Sequence, residues 1–109
     1  MRPSEAVRRA QQYIDEHLAD PIHPIDLARA GGISLRGLHA AFRREVDVTP
    51  MAYVRAARLS AARKQLEDGA PADLDVGALA LRWGFTSARQ FAARYAQAYH
   101  ETPLETLHR

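Results

Sequence analysis

The stretch Leu27-Ala28-Arg29-Ala30-Gly31-Gly32-Ile33-Ser34-Leu35-Arg36-Gly37-Leu38-His39-Ala40-Ala41-Phe42-Arg43-Arg44 decides the fold. Ile25, Leu27 and Ala28 belong to a short helix after Pro24 that runs into Gly31-Gly32. A positive φ is cheap there because glycine lacks a Cβ. Ser34 stands at an N-cap position, and Leu38, Phe42 and Val46 recur at helical spacing, so they form the inward face of a second helix ending near Val46. Sliding the chain by 53 residues lays Gly31 on Gly84, Ser34 on Ser87, Arg36 on Arg89, Leu38 on Phe91, Phe42 on Tyr95, and Thr49-Pro50 on Thr102-Pro103. One unit is thus written twice, each copy a short helix, a glycine turn, a serine-capped helix and a Thr-Pro stop.

The remaining segments are helical as well. Ser4 caps a first helix whose Val7, Ala10, Ile14 and Leu18 lie at three- and four-residue spacing, ending before Asp20-Pro21. Pro50 suits the first turn of a long helix to Asp68, with Gly69 as its C-cap and Ala52, Ala56, Leu59, Ala62 and Leu66 as its apolar set. Val76, Leu79 and Ala80 repeat the short helix, Gly84 the turn and Ser87 the restart, and Phe91, Tyr95 and Ala98-Tyr99 form the inward stripe of the last long helix. A brief helix follows Pro103. The expected fold is all-α, with seven helices in two helix-turn-helix subdomains, 1–49 and 69–109, joined by a linker helix over 50–68 in one domain, 1–109. No strand alternation interrupts it.

Composition narrows the function. A chain of 109 residues supports one domain with a real core. With no cysteine it holds neither disulfides nor a thiolate zinc site, which fits a reducing cytosol. No apolar run approaches the roughly 18 residues of a membrane span, and Met1-Arg2-Pro3-Ser4 opens into a polar helix without a signal-peptide core. The expectation is a cytoplasmic protein without a membrane partner. The net charge of +2 is too small to argue for nucleic acid alone, but its distribution is uneven. No acid lies between Asp26 and Glu45 or between Asp75 and Glu101, and these windows contain the two repeat copies. The acids gather instead at Asp15, Glu16 and Asp20 and at Glu67, Asp68, Asp73 and Asp75.

A repeated helix-turn-helix with basic, acid-free reading helices fits two equivalent places on a periodic partner, and double-stranded DNA has that periodicity. Arg36, His39 and Arg43 recur on a face other than that of Leu38, with Ala40 beside them. In the second copy Arg89, Ala93 and Ala96 form one outward edge, and Ser87, Gln90, Arg94 and Gln97 another. Alanines there either let the backbone approach base edges or simply favour helix, and both readings stand. The linker helix would be about 28 Å long, near the roughly 34 Å of one DNA turn. Ser34 and Ser87 are caps whose helix N-termini also suit phosphate. Arg44, Arg82 and Arg94 are candidate phosphate neutralisers, against intramolecular pairing. Trp83, Phe85 and Tyr53 read as packing.

These residues resemble the DNA-binding domain of AraC/XylS-type bacterial transcription regulators, from Tyr13-Ile14 through Leu107. The likeness is carried by Asp26-Leu27-Ala28, Gly32-Ile33-Ser34, Leu38, Phe42, Thr49-Pro50-Met51-Ala52-Tyr53-Val54, Arg58-Leu59, Ala62, Leu79-Ala80, Gly84-Phe85, Ser87, Phe91, Tyr95 and Thr102-Pro103. It implies a seven-helix, sequence-specific DNA-binding module sending the second helix of each unit into the major groove. The implied base-reading positions are Arg36, His39 and Ala40, then Ala88, Arg89, Ala92 and Ala93. The family usually carries arginine or another polar residue where Ala40 and Ala93 stand. That departure moves the weight to Arg36, His39 and Arg43 in the first unit and to Arg89 and Gln90 in the second, which is poorer in donors and mainly grips phosphates. Such regulators often carry a separate sensing and dimerising domain ahead of this one, and the module itself is expected to bind DNA as a monomer.

Catalysis has little support. His17, His23, His39, His100 and His108 show no i, i+4 pair and no HExxH spacing, so neither a metal nor another cofactor is expected. No glycine-rich phosphate loop or nucleophile elbow occurs, so no catalytic residue is expected and the chain does not read as an enzyme. The runner-up reading is a helical protein-interaction module docking on a partner such as RNA polymerase.

Overall fold

The computed structural model describes residues 3–109. They form α1 (Glu5–Glu16), α2 (Pro24–Gly31), α3 (Leu35–Glu45), α4 (Pro50–Asp68), α5 (Val76–Arg82), α6 (Ala88–Tyr99) and α7 (Pro103–Leu107), with no strand among the described residues. The fold is all-α, as expected. Two compact units divide the chain, Met1–Arg55 and Ala56–Arg109, so that the start of α4 belongs to the first and the rest to the second.

In the first unit Ser4 caps α1, its hydroxyl accepting from the Val7 N–H. Its own N–H donates to the Glu45 carboxylate at the end of α3, which holds that carboxyl below the usual glutamate range, with Arg44 assisting. Val7, Ala10 and Ile14 meet Leu27 and Ala28 of α2 and Leu38, Ala41 and Phe42 of α3 in the core, with Ile22 and Val54. Gly31 is buried where α2 approaches α1, and a Cβ there would stand 2.9 Å from the Ala6 carbonyl oxygen. Val46, expected inward, is only half-buried, because α3 ends at Glu45 and Val46 is its C-cap.

In the second unit Leu59, Ala62 and Leu66 of α4 enclose Leu79, Ala80, Phe85, Phe91, Tyr95 and Leu107. Phe85, Phe91, Tyr95 and Tyr99 form a ladder with successive ring centroids 5.2, 5.5 and 4.9 Å apart. The buried Thr106 hydroxyl donates to Glu101, so the Tyr95 hydroxyl, 2.6 Å away, is left to donate to it. Arg63 lies beside Glu101 with its guanidinium 4.3 Å from the Tyr99 ring centroid. Ala98 is exposed, contrary to its expected place in the stripe, since Tyr99 takes the position one turn beyond Tyr95.

Two other expectations are corrected. Ala56 is exposed and Val54 buried, because the buried stripe of α4 shifts between Val54 and Leu59: one helix supplies two cores. Gly69 directly follows the last residue of α4, as expected of its C-cap, without a left-handed φ, and it leaves room for Leu74, whose Cδ1 would lie 2.6 Å from an added Cβ. The repeat also changes register at the turn. Gly32, not Gly31, matches Gly84: both are left-handed, with φ of 69° and 85°. The Gly32 N–H donates to Arg29 O and the Ile33 N–H to Ala28 O; the Gly84 N–H donates to Leu81 O and the Phe85 N–H to Ala80 O. This double bond to the preceding helix is a Schellman ending, offset by 52 residues, whereas the capping serines are offset by 53. Thr86 is the additional residue. The Thr-Pro pairs, read as stops, also start the next helices: Thr49 accepts from the Ala52 N–H and Thr102 from the Glu105 N–H, with proline in the first turn.

Gly31→Ala should lower unfolding stability by about 1–3 kcal/mol in denaturant titration, since backbone has to move, while Gly31→Ser should cost at least as much. Acid should loosen the start of α1. The lowered Glu45 carboxyl contributes stability above the ordinary glutamate pKa and loses it as pH falls through the folded value. Loss of Ser4 amide protection, measured against the intrinsic exchange rate at each pH, as pH falls below the ordinary glutamate range, and its absence in Glu45→Gln, is the expected result.

Candidate nucleic-acid interface

Each turn delivers its second helix with a fixed start. Ser34 accepts from the Gly37 N–H and Ser87 from the Gln90 N–H, both at 3.0 Å. These bonds set the register by which Leu38, Ala41 and Phe42 point in while Arg36, His39, Ala40 and Arg43 are exposed. Arg36, His39 and Arg43 have no ion pair or hydrogen bond among the described residues. Side chains this free are available to a partner without first breaking a bond. Arg44, 70% exposed, leans on Glu45 at 3.4 Å, a pair weak enough for an anion to displace.

On α6 the order differs. Ala88, Arg89, Gln90 and Ala93 are exposed, but Ala92 and Arg94 are half-buried. Arg89 and Arg94 make no ion pair among the described residues. Gln90 is engaged: its Oε1 accepts from the Thr86 N–H at 2.8 Å and from the Thr86 hydroxyl at 2.9 Å. Arg82, exposed, has its guanidinium 5.7 Å from the Trp83 ring centroid, and the Trp83 indole N–H donates to Gln65 at 3.1 Å. Trp83 is therefore half-buried packing, and Phe85 is core. Tyr53 packs edge-on against Phe42, and burial raises its hydroxyl pKa.

Sequence reasoning gave Arg58 no place at the turn. Its guanidinium flanks Gly84, where an added Cβ would lie 3.1 Å from Nη1, and burial lowers its pKa. No sequence spacing links a mid-helix arginine to a glycine 26 residues away. The acids of the first helix are partly met by their own neighbours, Glu5 by Arg8 and Arg9, and Glu67 pairs with Arg63. Among the described residues no three His, Cys, Asp or Glu side chains group as metal ligands, and no helix is long and apolar enough to cross a membrane.

Known proteins share this arrangement. A helix-turn-helix domain family matches residues 27–109. A probable AraC family transcriptional regulator from Rhodopseudomonas palustris CGA009 is 39% identical, with a TM-score of 0.88 over 96% of both chains. The probable thc operon regulatory protein of Rhodococcus erythropolis is 36% identical over 93% of this chain, which spans 30% of that relative's length. The DNA-binding domain of AdpA, solved in complex with a target DNA, is 22% identical and has the same fold, with a TM-score of 0.83. On this evidence the chain belongs to the AraC family of transcriptional regulators, and its two helix-turn-helix units make up that family's DNA-binding domain.

Proposed function

We propose that the domain reads promoter DNA as a monomer, with α3 and α6 entering adjacent major-groove segments. The observation that carries this reading is the doubled unit: two left-handed glycine turns, each followed by a serine-capped helix with an exposed arginine at its second position, Arg36 and Arg89, neither in an ion pair among the described residues. Arginine's fork matches the O6 and N7 acceptors of guanine. In the first unit Arg36, His39 and Arg43 are the proposed base readers, with Ala40 allowing close approach. In the second, Arg89 and Gln90 take that role, and Ala88, Ala92 and Ala93 line the groove side without donors. Ser34, Ser87, Arg44, Arg82 and Arg94 are the proposed phosphate contacts, which position the domain without reading sequence.

Successive major-groove segments on one side of DNA lie about 34 Å apart, and that is the proposed spacing of the two read segments. AdpA's complex with its target DNA supports the same class of partner for a domain of this fold. Cytoplasmic location and absence of catalysis belong to the same proposal, since a domain bound to promoter DNA needs neither a membrane nor a reaction; RNA polymerase is a candidate second partner. Asymmetric DNA suits a monomer whose two reading helices differ in sequence.

Selection from a randomised duplex pool of about two helical turns should enrich two half-elements one turn apart. Arg36→Ala should cost about 1–3 kcal/mol on the selected site and relax one base position, while Arg94→Ala weakens selected and scrambled duplexes alike. Equal losses on both duplexes for Arg36→Ala would remove it from the base readers. A log-log salt dependence that is flat, instead of steeply negative, would favour a protein partner over DNA.

A further inference from the structure

Thr86 is the residue by which the second turn exceeds the first, and its exposed N–H is given an acceptor within the chain instead of being left to water. Gln90, at the third position of α6, supplies it. Its Oε1 accepts from the Thr86 N–H at 2.8 Å and the Thr86 hydroxyl at 2.9 Å. The orientation of a glutamine amide is usually ambiguous, because oxygen and nitrogen exchange places by a flip. Here a backbone N–H can only donate, so the oxygen has to face it. Both lone pairs of that oxygen are then occupied. The exposed remainder of the side chain is an NH₂ group with no hydrogen-bond partner among the described residues.

Glutamine reads adenine by accepting from the N6 amine while donating to N7, and glutamate-like acceptance reads the N4 amine of cytosine. A glutamine whose oxygen is already taken can do neither. We infer that Thr86 makes Gln90 a donor-only specificity residue, recognising an acceptor group of DNA (a purine N7, guanine O6, thymine O4 or a phosphate oxygen) and blind to exocyclic amines. This inference rests on the DNA-reading proposal above. The partial positive charge at the helix N-terminus favours the same choice, since it attracts acceptors and repels amine hydrogens. In the first unit the repeat-equivalent position is Gly37, which has no side chain, so this device belongs to the second unit alone.

Two measurements on the purified protein test it. Without DNA, amide exchange at Thr86 should be slowed by the clamp, by roughly three- to tenfold relative to Gln90→Ala. Gln90→Glu should keep that protection, because a carboxylate accepts both bonds, and should melt no lower than wild type. With DNA, Gln90→Ala should bind the selected site about three- to tenfold more weakly, and Gln90→Glu more weakly still, because it presents charge where a donor stood. Loss of preference at one base pair identifies a base-edge acceptor; an equal loss on all duplexes identifies phosphate. Binding by wild type that depends on an adenine or cytosine amine, probed with amine-less base analogues, and loses that dependence in Gln90→Ala overturns the inference. So does an unprotected Thr86 amide, or wild-type affinity in both variants. If wild type enriches no sequence, the DNA reading and Gln90's role in it fall together, and Thr86 protection, read without DNA, tells that failure from failure of the clamp.

Discussion

The left-handed glycine turn carries the rest of each unit. Gly32 and Gly84 end one helix by giving their own N–H, and that of the next residue, back to its last carbonyls. A residue with a Cβ meets a steric penalty at that φ, so the reversal falls to glycine. Two hydrogen bonds fix the direction in which the chain leaves, and a serine two or three residues later starts the next helix. Once that start is set, the 3.6-residue period alone decides that Leu38 and Phe42, or Phe91 and Tyr95, face the core and that the arginines face out.

Around these turns the cores are small and depend on close approach. Gly31 brings α2 to within van der Waals reach of the Ala6 carbonyl, and α4 contributes Val54 to one core and Leu59, Ala62 and Leu66 to the other. The second core ends in a polar seal, with Tyr95 donating to Thr106 and Thr106 to Glu101, so that the buried hydroxyls of α6 and α7 are satisfied. No buried side-chain polar atom among the described residues lacks a partner. Rigid cores matter for a reading surface, because a helix that rocks presents its side chains at no fixed distance from a base.

The two units offer DNA different chemistry on the same frame. The first exposes Arg36, His39 and Arg43, which hold no internal bonds among the described residues. The second exposes alanines, one free arginine at its start, and a glutamine already committed to its own turn. A longer turn has therefore been accommodated by spending the acceptor of Gln90, while Gln97 stays exposed further along the helix. On the proposed reading, the first unit discriminates among bases more strongly and the second contributes grip.

The chain order of the helices, their serine caps and the existence of the repeat were legible in the sequence, because each rests on local physics: Ser4, Ser34 and Ser87 bond a backbone three residues away, and proline and glycine act at their own positions. Family membership was legible too, through short motifs in order. What local spacing could not settle was anything that depends on two segments meeting. The 53-residue slide paired Gly31 with Gly84, since a glycine required for packing and one required for φ look alike in a sequence; only the approach of α1 separates Gly31 from Gly32. The shift of the buried stripe in α4, the outward turn of Ala98, the place of Arg58 beside Gly84 and the capture of Gln90 by Thr86 were decided in the same way. Helical period says which residues share a face, but only the neighbours packed against a helix determine which face is buried and which side chain is already spoken for.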